Sequence, residues 1–155
     1  MQSITAKASS AGHSLPGASA PAANYVPFVR AGDLLYISGQ IARSNGSVNV
    51  QGLLGGAVTP EQGYAAAQGA ALCLLAQIAA AVGDDLTRVV RIAKLGVFIA
   101  ATPQFTGHSQ IANGASDVLV AVLGDAGKHA RTSVGVASLP LGAAVEVDAV
   151  VQIRG

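Results

Sequence analysis

The sequence predicts an α+β fold, a mixed β-sheet with two helices on one face. Three observations lead there. The segments TPEQGYAAAQGAALCLLAQIAAAVG and TPQFTGHSQIANGASDVLVAVLG carry helix start and stop signals at their ends. Apolar runs with a period of two lie before, between and after them, giving the order ββ-α-β-α-ββ. The chain of 155 residues is 51% hydrophobic and only 11% charged, with a mean hydropathy of +0.49. A monomer cannot cover that much apolar surface with so few charges, so burial between subunits, in a homo-oligomer, is expected.

Along the chain, residues 1–23 are rich in Ala, Ser, Gly and Pro without periodicity and read as a flexible arm. Residues 24–155 suit one domain. FVRAGDLLYISGQIA reads as a hairpin with its turn at Ala31, Gly32 and Asp33 and its second strand running through Ser38. Residues 43–57 hold many Gly, Asn and Ser and read as loop, with a short edge strand at 47–51. In the first long helix Thr59 is the N-cap, Pro60 fits the first turn, Gln62 completes a capping box and Gly83 is the C-cap. A strand follows over 89–99. The second long helix starts by the same logic at Thr102 and Pro103 and stops at Gly124, with Gly107 and Gly114 weakening its first half. Strands at 132–137 and 145–153 close the chain, read as a hairpin joined through SLPLGAA.

Several function classes are set aside by composition. Net charge is +1 with no basic run, which argues against nucleic-acid binding. The stretch AAAQGAALCLLAQIAAAVG is mostly alanine and holds Gln68 and Gln77, whereas a membrane span wants about 20 residues of stronger hydrophobes. A helix covered by protein fits it better, and no membrane association is expected. The start MQSITAKASSAGHS has no apolar core of signal-peptide length, so the expected location is cytoplasmic. The single cysteine, Cys73, sits between leucines and reads as a buried structural thiol. His13, His108 and His129 are scattered, and no metal site is expected.

Strand periodicity then sorts the charges. Thr132, Val134 and Val136 share one face, and Arg131, Ser133 and Gly135 the other. In the last strand Val145, Val147, Ala149 and Val151 oppose Glu146, Asp148 and Gln152. If the two strands pair, the polar faces gather Arg131, Ser133, Glu146 and Asp148 on the side away from the helices. An exposed Arg131–Glu146 pair is the ordinary reading, worth about 0–1 kcal/mol. At a subunit seam the same arginine becomes a carboxylate receptor and the glutamate a group that activates water.

The segments NYVPFV, LLYISGQI, IANGASD, GKHARTSVGV, SLP and VEVDAVV, in that order, resemble the RidA/YjgF (Rid) family, in a divergent YjgF-like branch. The resemblance implies a chorismate-mutase-like fold and a homotrimer with ligand clefts between subunits. It implies an enamine/imine deaminase that hydrolyses 2-aminoacrylate-like acids to keto acid and ammonia without a cofactor. It also admits a pathway enzyme such as a 2-aminomuconate deaminase, and a non-catalytic trimer that binds small carboxylates or regulates a partner is the alternative. By position, Arg131 matches the arginine that binds the substrate carboxylate, and Glu146 the glutamate that positions the hydrolytic water. Tyr25, Ser38 and Gly39 match cleft-lining positions, Asn113 an asparagine of the second helix, and Ser133 a carboxylate-contacting position. A ribonuclease activity has also been attached to this family, and the near-neutral charge and 4% aromatic content argue against it.

Overall fold

The computed structural model describes residues 2–20 and 23–155. Strands β1 (Phe28–Ala31), β2 (Leu34–Ile41), β5 (Val89–Ala100), β6 (Ala130–Val136) and β7 (Val145–Ile153) form one sheet in the order β1-β2-β7-β5-β6. A two-stranded hairpin, β3 (Arg43–Ser44) and β4 (Ser47–Val48), stands apart, in place of the single strand expected at 47–51. Helices α2 (Pro60–Val82) and α3 (His108–Leu123) pack on one face of the sheet and against each other. The mixed sheet under two long helices is the fold the sequence predicts, with a third helix, α1 (Ile4–Ser10), added.

Local signals account for much of this. Thr59 caps α2 through its hydroxyl, Gln62 returns a side-chain bond to the Thr59 N–H at 2.9 Å, and Gly83 ends the helix at φ 68°. Its alanines let α2 approach closely: Ala66, Ala67, Ala70 and Ala71 are all buried. The apolar length of α2 is therefore that of a core helix. Gly114 sits in mid-α3 because a Cβ there would overlap the Tyr64 carbonyl of α2. The start of α3 differs from expectation. Residues 102–106 form a turn in which the Thr102 carbonyl accepts from the Phe105 N–H, and the helix begins only after Gly107.

The last two strands do not pair. β6 lies parallel to β5 and β7 lies antiparallel to it, so β5 separates them. A strand that follows a crossover helix returns parallel, and α3 makes β5-α3-β6 such a unit. SLPLGAA is accordingly not a hairpin turn. It crosses the end of β5, with Leu141 and Gly142 both at positive φ, and the Ala144 carbonyl accepts from the Ala100 N–H. The faces change with the partner. Val145, Val147, Ala149 and Val151 are buried under the helices, and Glu146 and Asp148 point to the open side, as expected. Arg131, however, bonds α3, so Arg131, Ser133 and Gly135 lie on the helix side.

The arm also departs from expectation. Apart from Met1, Pro21 and Ala22, which lie outside the described residues, it follows a defined path on the fold. Ser3 caps α1, and its hydroxyl donates to Asp84 Oδ2 at 2.5 Å. Thr5 N–H donates to Asp84 Oδ1 at 2.9 Å, and these bonds hold the Asp84 carboxyl below the ordinary range. Ile4 and Ala8 are fully buried against the core. The composition of 1–23 hid this because only two of its residues need to be buried. Ile4→Ala is expected to cost about 2–5 kcal/mol, measured by denaturant unfolding. A loss within error of zero would show that the arm is not part of the core.

Candidate functional site

Two groups of residues emerge, on opposite sides of the sheet. The first surrounds Glu146. This residue pairs with Ile41 of β2 and with Phe98 of β5. Its carboxylate lies over Gly39, where any Cβ would overlap Oε1, and the register of β2 shifts between Ile37 and Gln40 to make room. The glycine of the SGQ stretch is thus required by the carboxylate beside it. Ser38 donates its hydroxyl to the Val26 carbonyl at 2.8 Å and its N–H to Pro27 at 2.9 Å, which fixes the chain bearing Tyr25 against β2. Tyr25, Ser38, Gly39 and Glu146 line one cavity of about 410 Å³, with Arg43 and Cys73 also in its wall.

Glu146 makes no hydrogen bond or ion pair among the described residues. Lys128, one conceivable partner, bonds Asp125 at 2.7 Å in the open. Burial raises the Glu146 pKa above the ordinary value, and the neighbouring Asp148 charge adds to the rise. Asp148 is raised too, chiefly by burial, with the Gly96 backbone and Lys94 opposing. Cys73, read from the sequence as a buried structural thiol, is half-buried at the cavity wall, where burial raises its thiol pKa.

The second group surrounds Arg131. Its Nη1 donates to Asn113 Oδ1 at 2.9 Å and to Ser116 Oγ at 3.0 Å, and its Nη2 to the Ser109 carbonyl at 3.4 Å. His129 Nδ1 lies 2.5 Å from the Gly127 carbonyl, which can only accept, so Nδ1 carries the proton. Nε2 then accepts from the Ser116 hydroxyl at 2.9 Å. Burial lowers the His129 pKa against the opposing bond to Gly127, and the Arg131 charge adds to the fall. A chain of bonds therefore runs from the Gly127 carbonyl through His129 and Ser116 to the guanidinium and sets its orientation. Ser133, two residues on, shares its face.

The sequence resemblance gathered Arg131, Ser133, Asn113, Glu146, Tyr25, Ser38 and Gly39 into one cleft, whereas in a single chain the first three lie on one side of the sheet and the other four line the cavity on the other. It missed Ser116, His129, Arg43 and the arm as parts of these groups. The spacing held part of that signal, since Asn113 and Ser116 are three apart on a helix, and His129 stands just before β6, two residues from Arg131. It also placed Arg131 and Glu146 on one face, and this is corrected. They lie on opposite faces, two strand spacings apart, or about 10 Å before the sheet thickness is added. One small ligand cannot touch both in a single chain.

The family described as "YjgF/chorismate mutase-like, putative endoribonuclease" matches residues 5–152. The chain belongs to the YjgF family. It is 49% identical over 144 residues to protein TCP17 of Trypanosoma cruzi, covering 92% of this chain and 89% of that one. The crystal structure of protein Atu1372 of Agrobacterium tumefaciens, of unknown function, is similar at 43% identity and a TM-score of 0.91, covering 97% of this chain and 92% of that one. RidA from the Antarctic bacterium Psychrobacter sp. PAMC 21119 is more distant, at 26% identity and a TM-score of 0.59 over 88% of this chain and 94% of that one. The YjgF match begins at residue 5, inside α1, so residues 5–23 of the arm fall within the family's span.

The raised pKa of Glu146 has a consequence for stability. The folded chain binds that proton more tightly than the unfolded chain does, so this group's contribution to stability is fully present below the ordinary glutamate value and is lost as pH rises through the raised one. Glu146→Gln is expected to raise Tm at pH 7, with the gain vanishing below about pH 4. Melting curves across that range check it, and a lower Tm at pH 7 would mean that the carboxylate is paired in solution.

Proposed function

We propose that this YjgF protein is an enamine/imine deaminase whose site forms between subunits of a homotrimer, from Arg131 of one copy and Glu146 of another. The observation that carries this reading is Glu146 itself, an unpaired, half-buried carboxylate with a raised pKa in the wall of a cavity. Burial and the Asp148 charge make it a stronger proton acceptor than an ordinary carboxylate, which suits a general base. The open sheet face around it also carries exposed Val29, Tyr36 and Val134, the kind of surface a subunit contact buries. Arg131 is oriented by Asn113 and Ser116 and keeps N–H groups for a carboxylate.

The chemistry follows from these roles. A 2-amino-enoic acid takes a proton from solvent at carbon 3 and becomes a 2-iminium acid. Arg131 holds its carboxylate and fixes the imine carbon. Glu146 takes a proton from water as the water oxygen bonds carbon 2, and the imine nitrogen, protonated, becomes an amine. Glu146 returns its proton to that nitrogen, the C–N bond breaks as the hydroxyl gives its proton to solvent, and ammonia and the keto acid leave. One water is consumed and the carboxylate is regenerated, so no cofactor is called for. The family description also carries the word endoribonuclease. Arg43 is the one basic side chain in the cavity wall, which is little for a phosphate backbone.

The test is keto-acid release from enzymatically generated 2-aminoacrylate. Arg131→Ala and Glu146→Gln are each expected to lose roughly 100-fold or more. Refolding the two variants together restores activity, because random mixing leaves about one site in four with both residues intact. Two inactive variants that do not rescue each other would sink the intersubunit site. Full turnover by Glu146→Gln would sink the role of the glutamate.

A further inference from the structure

α2 buries a side chain that its composition does not explain. Gln77 is 1% exposed in a helix whose other buried residues are all glycine or aliphatic. A buried amide without a partner is strongly unfavourable, and Gln77 finds its partner in the arm. Its Nε2 donates to the Ser19 carbonyl at 3.0 Å and to the Ser19 hydroxyl at 3.3 Å. Gln77 lies one helical turn after Cys73, so the two share a face of α2. Both Ser19 and Cys73 line the cavity that holds Glu146, as do Pro16, Gly17 and Ala20. The arm is thus fixed twice, by α1 and Ser3 at its start and by Gln77 at its far end.

We infer that residues 16–20 are a built wall of the Glu146 pocket, clamped by Gln77, and that this wall sets the length of the ligand side chain. The inference rests on the reading that this pocket is where the ligand lies. Pro16, Gly17 and Ala20 carry no polar side-chain group, so the part of a ligand that meets this wall is its aliphatic side chain. A loosened wall admits longer ones, and a side chain added to the wall excludes them.

Cys73, the one cysteine of the chain, reports on the wall without any need for turnover. The experiment measures its alkylation by N-ethylmaleimide in the full-length protein, alone and with pyruvate or 4-methyl-2-oxopentanoate. Gln77→Leu releases the clamp while leaving Ile4 and Ala8 docked. It is expected to speed alkylation about fivefold or more, as local opening exposes the thiol. It is also expected to narrow the preference between the two acids. Gly17→Phe is the second variant, since a Cβ at Gly17 meets nothing within 4 Å and its φ is not positive. It is expected to weaken protection by the longer acid about tenfold while pyruvate protection holds.

Unchanged alkylation and an unchanged preference in both folded variants would overturn the wall, as would a wild type that neither acid protects. Turnover of 2-aminoacrylate is followed separately. Its absence in wild type sinks the deaminase reading, while the protection data still decide the wall.

Discussion

The fold turns on β5 being hydrogen-bonded on both edges, antiparallel to β7 and parallel to β6. A twelve-residue strand in that position fixes the rest. The parallel partner requires a crossover, and α3 supplies it. The antiparallel partner brings the C-terminal strand to the centre of the sheet. Because β6 and β7 never meet, the guanidinium of one and the carboxylate of the other face different surroundings. Arg131 finds acceptors on α3, whereas Glu146 finds no donor among the described residues and keeps a raised pKa.

What was legible in the sequence was local. Thr59, Pro60, Gln62 and Gly83 each act within one turn of the chain, and the structure uses them as their chemistry suggests. Alternation along β7 was equally plain, because one face is wholly apolar. Pairing was not legible. SLPLGAA has the length and the turn residues of a hairpin connection, and nothing within it reveals that the previous strand is already held by β5. The face assigned to Arg131 failed for the same reason, since an edge strand with polar residues on both sides gives periodicity no way to decide which side is covered. The arm failed differently, because its hold depends on Asp84 and Gln77, more than fifty residues away.

The two residue groups were partly readable because each is built from short-range spacings. Their separation was not, since it is a property of the sheet order. A site divided in this way makes assembly and activity one question. A chain whose copies stay apart has an oriented guanidinium on one side and a poised carboxylate on the other, and neither alone performs the hydrolysis proposed above.

Gly39 has an evolutionary consequence. Any side chain there would displace the Glu146 carboxylate, so the two positions constrain each other across β2 and β7. A lineage that replaced Glu146 with a shorter residue would relax the demand for glycine at 39, and the backbone there would be free to drift. A lineage that keeps the carboxylate must keep the glycine. The identity of residue 39 thus becomes a marker, readable in any relative's sequence, of whether the carboxylate still occupies its seat.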